Sequence, residues 1–381
     1  MSDRRFDLLT EDDIASGTAT AAYFLRTETV LEELGTDPHV VAELSAPSGW
    51  HVLSGLKDAA ALLEGLPIDV YAPPEGTAIN GGPVLRIEGP YRSFARYESP
   101  LLGFLSHASG ITTAAWQIRA AAGEATVLSF GTRRQHPSLG AMIERSAIIG
   151  GADGIGNVAG GEVIGVEAGG TMPHALIVCV GDPESAWQAF DDIMPSDVPR
   201  VLLCDTFGDE AAEARAAAAL LEDRLESVRL DTTRSRRGDM SAIVDEVRWA
   251  LDQHGATDVD IMVSGGVDVT AIEALRDGVD AFGVGGAIAN ADPVDFSLNI
   301  VEVDGNPRSK RGVKPGAKAV YRSGTTDTIV SVGQTAPGKK LLEPVITNGT
   351  IVQEFQLNAA RDRAREYLDK LGADRVLDRQ S

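Results

Sequence analysis

Cysteine is nearly absent from this sequence: Cys179 and Cys204 are the only two among 381 residues. Two thiols cannot build a four-ligand structural zinc site by themselves, so no structural zinc is expected. Both sit in apolar runs and read as core filler in a reducing cytoplasm. The roughly 20 uninterrupted apolar residues of a membrane span are missing as well. The first residues, Met-Ser-Asp-Arg-Arg-Phe-Asp, have no apolar core behind their arginines, so no secretory signal is read there. Positive charge is in deficit, with 34 Lys and Arg against 56 Asp and Glu and a formal net charge of −22. A surface that acidic repels nucleic acid and anionic membranes. Lysine is scarce and arginine much commoner, a bias that resembles proteins of salt-loving archaea, where salt screens self-repulsion. It bears on habitat, not on activity.

What is present is a globular composition, 43% apolar and 24% charged, on a chain long enough for two or three domains. Residues 1–122 read as an N-terminal β-rich domain ending in a long helix over 97–122. Short alternating runs at Val40–Leu44, Ile68–Tyr71 and Val84–Ile87 are separated by Pro- and Gly-rich turns. Residues 123–304 alternate strand and helix. Apolar runs at Val127–Phe130, Ala175–Val180, Val201–Cys204, Val228–Leu230, Asp260–Val263 and Ala281–Val284 predict strands. Repeated βα units with buried strands predict a parallel sheet in an irregular α/β barrel, with chemistry at the C-terminal strand ends. Residues 305–381 predict further β segments that return to the first domain, then a charged helix over 358–371. The expected class is α/β, with a second, β-rich domain made from both chain ends.

Polar residues gather at the expected strand ends. Ser264-Gly265-Gly266 and Gly285-Gly286 are two glycine turns in consecutive βα units, a pattern that lets backbone N–H groups hold a phosphate; close helix–strand packing is the other reading. Asp205 and Asp231 end neighbouring strands and can hold Mg²⁺ or ribose hydroxyls, or cap the helices that follow. Arg229 lies two residues before Asp231 and so shares its face of the strand. A buried guanidinium there needs an anion, either Asp231 or a ligand carboxylate. Phe130 offers a flat face beside Arg133 and Arg134. His174 and Tyr23 carry no chemical signal on their own.

Taken together, eight motifs in one order resemble the nicotinate phosphoribosyltransferases of the archaeal type, in the type II phosphoribosyltransferase family. They are Thr20 to Thr27 with Tyr23 at the centre, Phe130-Gly131-Thr132-Arg133-Arg134, Asp153 to Gly160, Gly170-Thr171-Met172-Pro173-His174, Cys204-Asp205-Thr206-Phe207, Val228-Arg229-Leu230-Asp231, Ser264 to Asp268, and Phe282 to Gly286. The resemblance covers nearly the whole chain. It implies that Phe130 and Tyr23 sandwich a pyridine ring, with Tyr23 supplied by a partner subunit. It implies that Arg229 takes the nicotinate carboxylate, that Thr171 is among the substrate-binding residues and that Arg133 meets phosphates. His174 resembles the family's ATP-phosphorylated histidine. It further implies that Asp205 and Asp231 orient ribose and Mg²⁺, and that the glycine turns at Ser264, Gly265, Gly266, Gly285 and Gly286 hold the 5′-phosphate of phosphoribosyl pyrophosphate. The sequence departs from the family at Ala21-Ala22, where Thr-Asp is usual, at Pro173, where Ala is usual, and in lacking a C-terminal cysteine cluster.

The expected reaction is transfer of phosphoribosyl from phosphoribosyl pyrophosphate to nicotinate, with ATP as a coupled co-substrate, in a cytoplasmic homodimer or higher oligomer with shared sites. Nicotinamide or quinolinate as acceptor, or a non-catalytic nucleotide-binding barrel, are the alternatives. Gly156 stands where nicotinamide-using relatives carry an Asp, which favours the acid. One further feature is a basic segment, Arg308 to Arg322, without a single acid. Lys310, Arg311 or Lys314 is expected to neutralise the leaving pyrophosphate or ATP phosphates, or else to pair with an acidic neighbouring subunit.

Overall fold

A computed structural model describes residues 6–377; the arginine-bearing residues 1–5, read above for a signal, lie outside them. The chain divides into two compact units, one holding residues up to Thr113 and from Asp292 onward, the other Ala114–Ala291.

The first unit is built on a seven-stranded sheet. Its order is Asn306–Pro307, Ser297–Val303, His39–Ser45, Pro83–Pro90, Asp69–Ala72, Glu343–Thr347 and Thr350–Ile351, so strands from both parts of the chain interleave. His39–Ser45 is central, with Ala42 opposite Ile300 on one side and Ile87 on the other. Its middle residues are buried, and Leu44, Ile87, Leu56, Leu63 and Phe94 belong to one core. The helix Leu56–Leu63 and the start of Glu98–Ala122 contribute Leu56, Leu63, Leu101 and Leu105 to that core. A capping box of Thr10 and Asp13 opens the short helix Glu11–Ala15, and Ala22–Glu33 follows.

A three-stranded antiparallel sheet, Thr326–Ser331, Lys318–Ser323 and Lys339–Lys340, completes this unit. It disposes of part of the basic segment. Lys318 Nζ lies 2.9 Å from the buried Glu43 carboxylate. Arg322 is buried, bonded to Asp327 at 2.7 Å and set between the rings of Trp50 and Tyr367. These two cations answer acids inside their own unit, and a guanidinium between aromatic faces gains cation–π energy besides.

The second unit carries a curled, all-parallel sheet in the order Gly154–Ile155, Thr126–Ser129, Ala281–Val284, Asp260–Ser264, Ser227–Leu230, Val201–Leu203. Neighbours follow chain order around a ring, as in a barrel, but among the described residues no pairing joins the two outermost strands. The sheet is therefore an open half-barrel. The reason lies at residues 175–180, expected to be a strand. His174–Val180 is instead a helix, entered from extended Pro173 and stopped by Gly181 in the left-handed region. A short apolar run is compatible with either state, and here Gly181 supplies a helix stop. The same helix leaves Cys179 exposed, against the expectation that it fills the core; Cys204 is fully buried. Aspartates cap the surrounding helices: Asp182 before Pro183–Ile193, Asp209 before Glu210–Leu221, Asp239 before Met240–His254 and Asp268 before Val269–Leu275. Inside, Trp187, Leu203, Val228, Ile261 and Phe282 are fully buried.

Candidate active site

The C-terminal ends of the parallel strands bring most of the expected residues together in the second unit. Ser227–Leu230 is buried throughout and delivers Arg229, 8% exposed, and then Asp231. The Arg229 guanidinium bonds the Thr171 hydroxyl and stands 3.7 Å from the Asp231 carboxylate, while its Nε has no partner. Burial lowers its pKa, and the charges of Asp231 and Asp205 oppose that fall. The charge of Arg133 adds to the fall, so two cations converge on this region. A buried guanidinium with an unmet donor is a site for an anion.

The Asp205 carboxylate joins two parts of the site. Oδ1 lies 2.8 Å from Nε2 of His174, and Oδ2 accepts the backbone N–H of Asp231 at 2.5 Å. Burial pushes this carboxyl above the usual range, and the Asp231 amide and His174 pull it back. Neither Asp205 nor Asp231 caps a helix, since Asp209 and Asp239 do so. Among the described residues no group of three or more His, Cys, Asp or Glu is arranged to hold a metal. Both oxygens of Asp205 are already engaged. Asp231 is the freer carboxylate, and one carboxylate plus substrate phosphates is a usual Mg²⁺ environment.

Phe130 follows Thr126–Ser129 and lies across a glycine. A Cβ on Gly283 would stand 2.7 Å from its ring, and one on Gly156 would stand 3.3 Å away. Glycine at both places leaves room for the ring at the strand ends. Gly265 and Gly266 take φ of +84° and +73°, and a Cβ on Gly265 would meet the Asp231 carboxylate at 2.2 Å. That turn packs on the acid. The Ser264 hydroxyl is buried without a partner. The turn at Gly285 and Gly286 packs against the loop after Phe130, its Gly285 carbonyl 2.6 Å from where a Gly131 Cβ would be. Tyr23 is not among these residues: it lies on Ala22–Glu33 in the first unit, 61% exposed, its ring 4.5 Å from that of Phe24.

Three supporting side chains were not read from the sequence. Glu213 accepts the amides of Thr206, Phe207 and Gly208 and so shapes the loop after Asp205. Arg237 bonds the carbonyls of Thr232 and Gly265 and ties two strand-end loops together. Glu144, on the helix Gly140–Ile149, is fully buried behind Phe130's loop. Glu213 acts on amides 5 to 7 residues away, while Arg237 also reaches Gly265, 28 residues on; an acid on the core-facing side of a helix is the one available hint.

Two family models match, the quinolinate phosphoribosyl transferase C-terminal domain over residues 111–299 and its N-terminal domain over 21–109. A nicotinate phosphoribosyltransferase of Mycobacterium tuberculosis is 31% identical over 329 residues, which is 80% of this chain and 69% of that protein. The chain belongs to the type II phosphoribosyltransferase family. Its members are enzymes. A solved nicotinate-nucleotide pyrophosphorylase from Pyrococcus furiosus is 47% identical, with a TM-score of 0.94 over 96% of this chain and 98% of that one. The human nicotinic acid phosphoribosyltransferase, 21% identical, shares the fold at a TM-score of 0.77 over 94% of this chain and 95% of its own. The fold that contains the open half-barrel is thus shared with both of these structures. No helix among the described residues is long and apolar enough to cross a membrane.

Proposed function

We propose that this enzyme transfers phosphoribosyl from phosphoribosyl pyrophosphate to nicotinate, giving nicotinate mononucleotide and pyrophosphate. The observation that carries this reading is Arg229: a buried guanidinium beside Thr171, with an unmet Nε, on the same parallel sheet whose strand ends carry Phe130. A planar acid fits it. Its ring stacks on Phe130, and its carboxylate takes charge-assisted bonds from Arg229. An Asp in place of Gly156 would crowd Phe130, which disfavours the amide-accepting arrangement expected for nicotinamide. The name of the Pyrococcus furiosus relative contains nicotinate nucleotide, a product of transfer to nicotinate and, with loss of CO₂, of transfer to quinolinate.

The chain's own groups divide the work. Backbone N–H groups of the turns at Ser264, Gly265, Gly266, Gly285 and Gly286 hold the 5′-phosphate. Asp231 orients the ribose hydroxyls, and Arg133 neutralises phosphate charge. The pyridine nitrogen is already a nucleophile, so the enzyme has to align it with the anomeric carbon and stabilise the departing pyrophosphate. Mg²⁺, when bound with the substrate phosphates, supplies charge neutralisation there, and Asp231 is the residue that would hold it.

His174 is the candidate for coupling to ATP. Its Nε2 faces Asp205, which leaves Nδ1 as the nucleophile. In that step Nδ1 forms a bond to the γ-phosphorus, the bond to the bridging oxygen breaks, and ADP leaves with the electron pair.

Quinolinate is the second reading, favoured by the names of the two family models. Turnover of nicotinate, nicotinamide and quinolinate, each with phosphoribosyl pyrophosphate and with or without ATP, tests the proposal. Nicotinate is expected to have the highest kcat/KM; a preference for quinolinate overturns it.

A further inference from the structure

Glu144 is 0% exposed, and neither of its carboxylate oxygens has a partner at hydrogen-bonding geometry. Burying a carboxylate without compensation is costly, so its surroundings need an explanation. Four donors surround it: the hydroxyls of Ser129 and Thr132, and the backbone amides of Gly156 and Asn157. The Ser129 hydroxyl is itself buried and unpartnered. Burial raises the carboxyl's pKa, and these four donors pull it back, in the order Ser129, Gly156, Asn157, Thr132.

The donors belong to two loops. Ser129 and Thr132 bracket Phe130, and Gly156 lies against the edge of the Phe130 ring. Ser129, Gly156 and Asn157 therefore touch, or are next in chain to, the surface on which the acceptor ring would stack, and Thr132 lies two residues beyond Phe130. Gly283 blocks Phe130 from the other side.

We propose that Glu144 is a positioning residue whose buried carboxylate gathers the 129–132 and 156–157 loops and so sets the plane of Phe130 against the pyridine ring. The carboxylate touches no substrate; it acts through Phe130. The four donors stand close but not yet in bonding geometry, and bonds of this kind tighten when the ring is bound. This rests on the acceptor site proposed above.

The test is a double-mutant cycle in the full-length protein. Glu144→Gln keeps the shape but replaces one acceptor oxygen with an NH₂ facing donors. KM for nicotinate is expected to rise about ten-fold. KM for phosphoribosyl pyrophosphate is expected to change less than about three-fold, because its 5′-phosphate sits at the glycine turns and Arg133 alone among its proposed contacts adjoins the 129–132 loop. In a Phe130→Ala background, adding Glu144→Gln is expected to change nicotinate kcat/KM less than about two-fold, the signature of acting through that ring. Ser129→Ala, a milder removal of one donor, should show the same selectivity and serves if Glu144→Gln does not fold. Equal rises in both KM values, or full additivity with Phe130→Ala, overturn the proposal. A wild type that uses quinolinate instead refutes the function reading alone; the same split is then read on quinolinate KM.

Discussion

His174 and Asp205 are joined by a 2.8 Å contact between Nε2 and Oδ1, and the second oxygen of the same carboxylate holds the Asp231 amide at 2.5 Å. One buried acid thus fixes both the tautomer of the histidine and the position of the residue assigned to the ribose. The histidine's other nitrogen is left for chemistry, and its ring is partly open to solvent.

Replacing Asp205 by Asn removes the charge that favours Nε2–H. ATP hydrolysis and phosphohistidine formation should fall by ~100-fold or more, as when a histidine loses its orienting carboxylate. Slow ATP-independent transfer is expected to persist. Burial holds the Asp205 carboxyl above the ordinary range, so it protonates early as pH falls. ATP coupling should therefore fail at a higher pH on the acid side than an exposed aspartate would allow. Phosphohistidine trapping across a pH series checks both; an unchanged phosphoenzyme level in the Asn variant would show that the pair is only structural.

Arg229→Ala should raise nicotinate KM far more than that of phosphoribosyl pyrophosphate. Losing a buried charged partner costs about 2–5 kcal/mol, roughly 30-fold or more in affinity. Steady-state kinetics in both substrates decide it, and equal effects would remove Arg229 from the carboxylate site.

The fold class was legible because its signals are local. Aspartate caps and buried apolar runs recur through residues 182–284, and five of the six expected strand runs are strands. The exception, 175–180, shows the limit: its apolar side chains fit either state, and only three-dimensional context selects the helix. The strand-end residues Arg229, Asp231, Asp205, Phe130 and the glycines could be nominated because strand ends are readable. Glu144 and Arg237 could not, since they act on loops that folding brings to them, and Glu213, which bonds a loop only 6 residues away, carries no pattern that sets it apart from other helical acids. Two cations of the acid-free basic segment answer acids outside it: Lys318 meets Glu43, 275 residues away, which local composition cannot show, and Arg322 meets Asp327, 5 residues on.

Glu98 opens the helix Glu98–Ala122 and is pushed up to about 7 by burial, with Lys310 pulling the other way. A carboxyl whose folded pKa is raised favours the folded state when protonated. Its contribution is fully present below about 4.5, the ordinary value, and is lost as pH rises through about 7. Glu98→Gln should then raise Tm by a few degrees near pH 8.5 and by much less near pH 5. Thermal melts at the two pH values test the sign, which would be reversed if Lys310 held the carboxylate ionised.

The last prediction concerns assembly. Tyr23 is exposed on its helix, and two more apolar side chains of that stretch, Val30 and Leu34, are exposed with it. If a second copy receives this face, as the shared-site reading requires, Tyr23 completes the partner's acceptor site and each variant alone is inactive for a different reason. Tyr23→Ala subunits lack the ring that covers nicotinate but keep Arg229; Arg229→Ala subunits have the reverse. Mixed in equal amounts and allowed to exchange, half of the dimers are hybrids, and each hybrid has one intact site and one doubly defective site. Activity should recover to about a quarter of the wild-type value. That ceiling is informative, because simple stabilisation of one variant by the other has no reason to stop there. Recovery well below it despite exchange demonstrated by mass spectrometry would place Tyr23 in its own subunit's site, or in none.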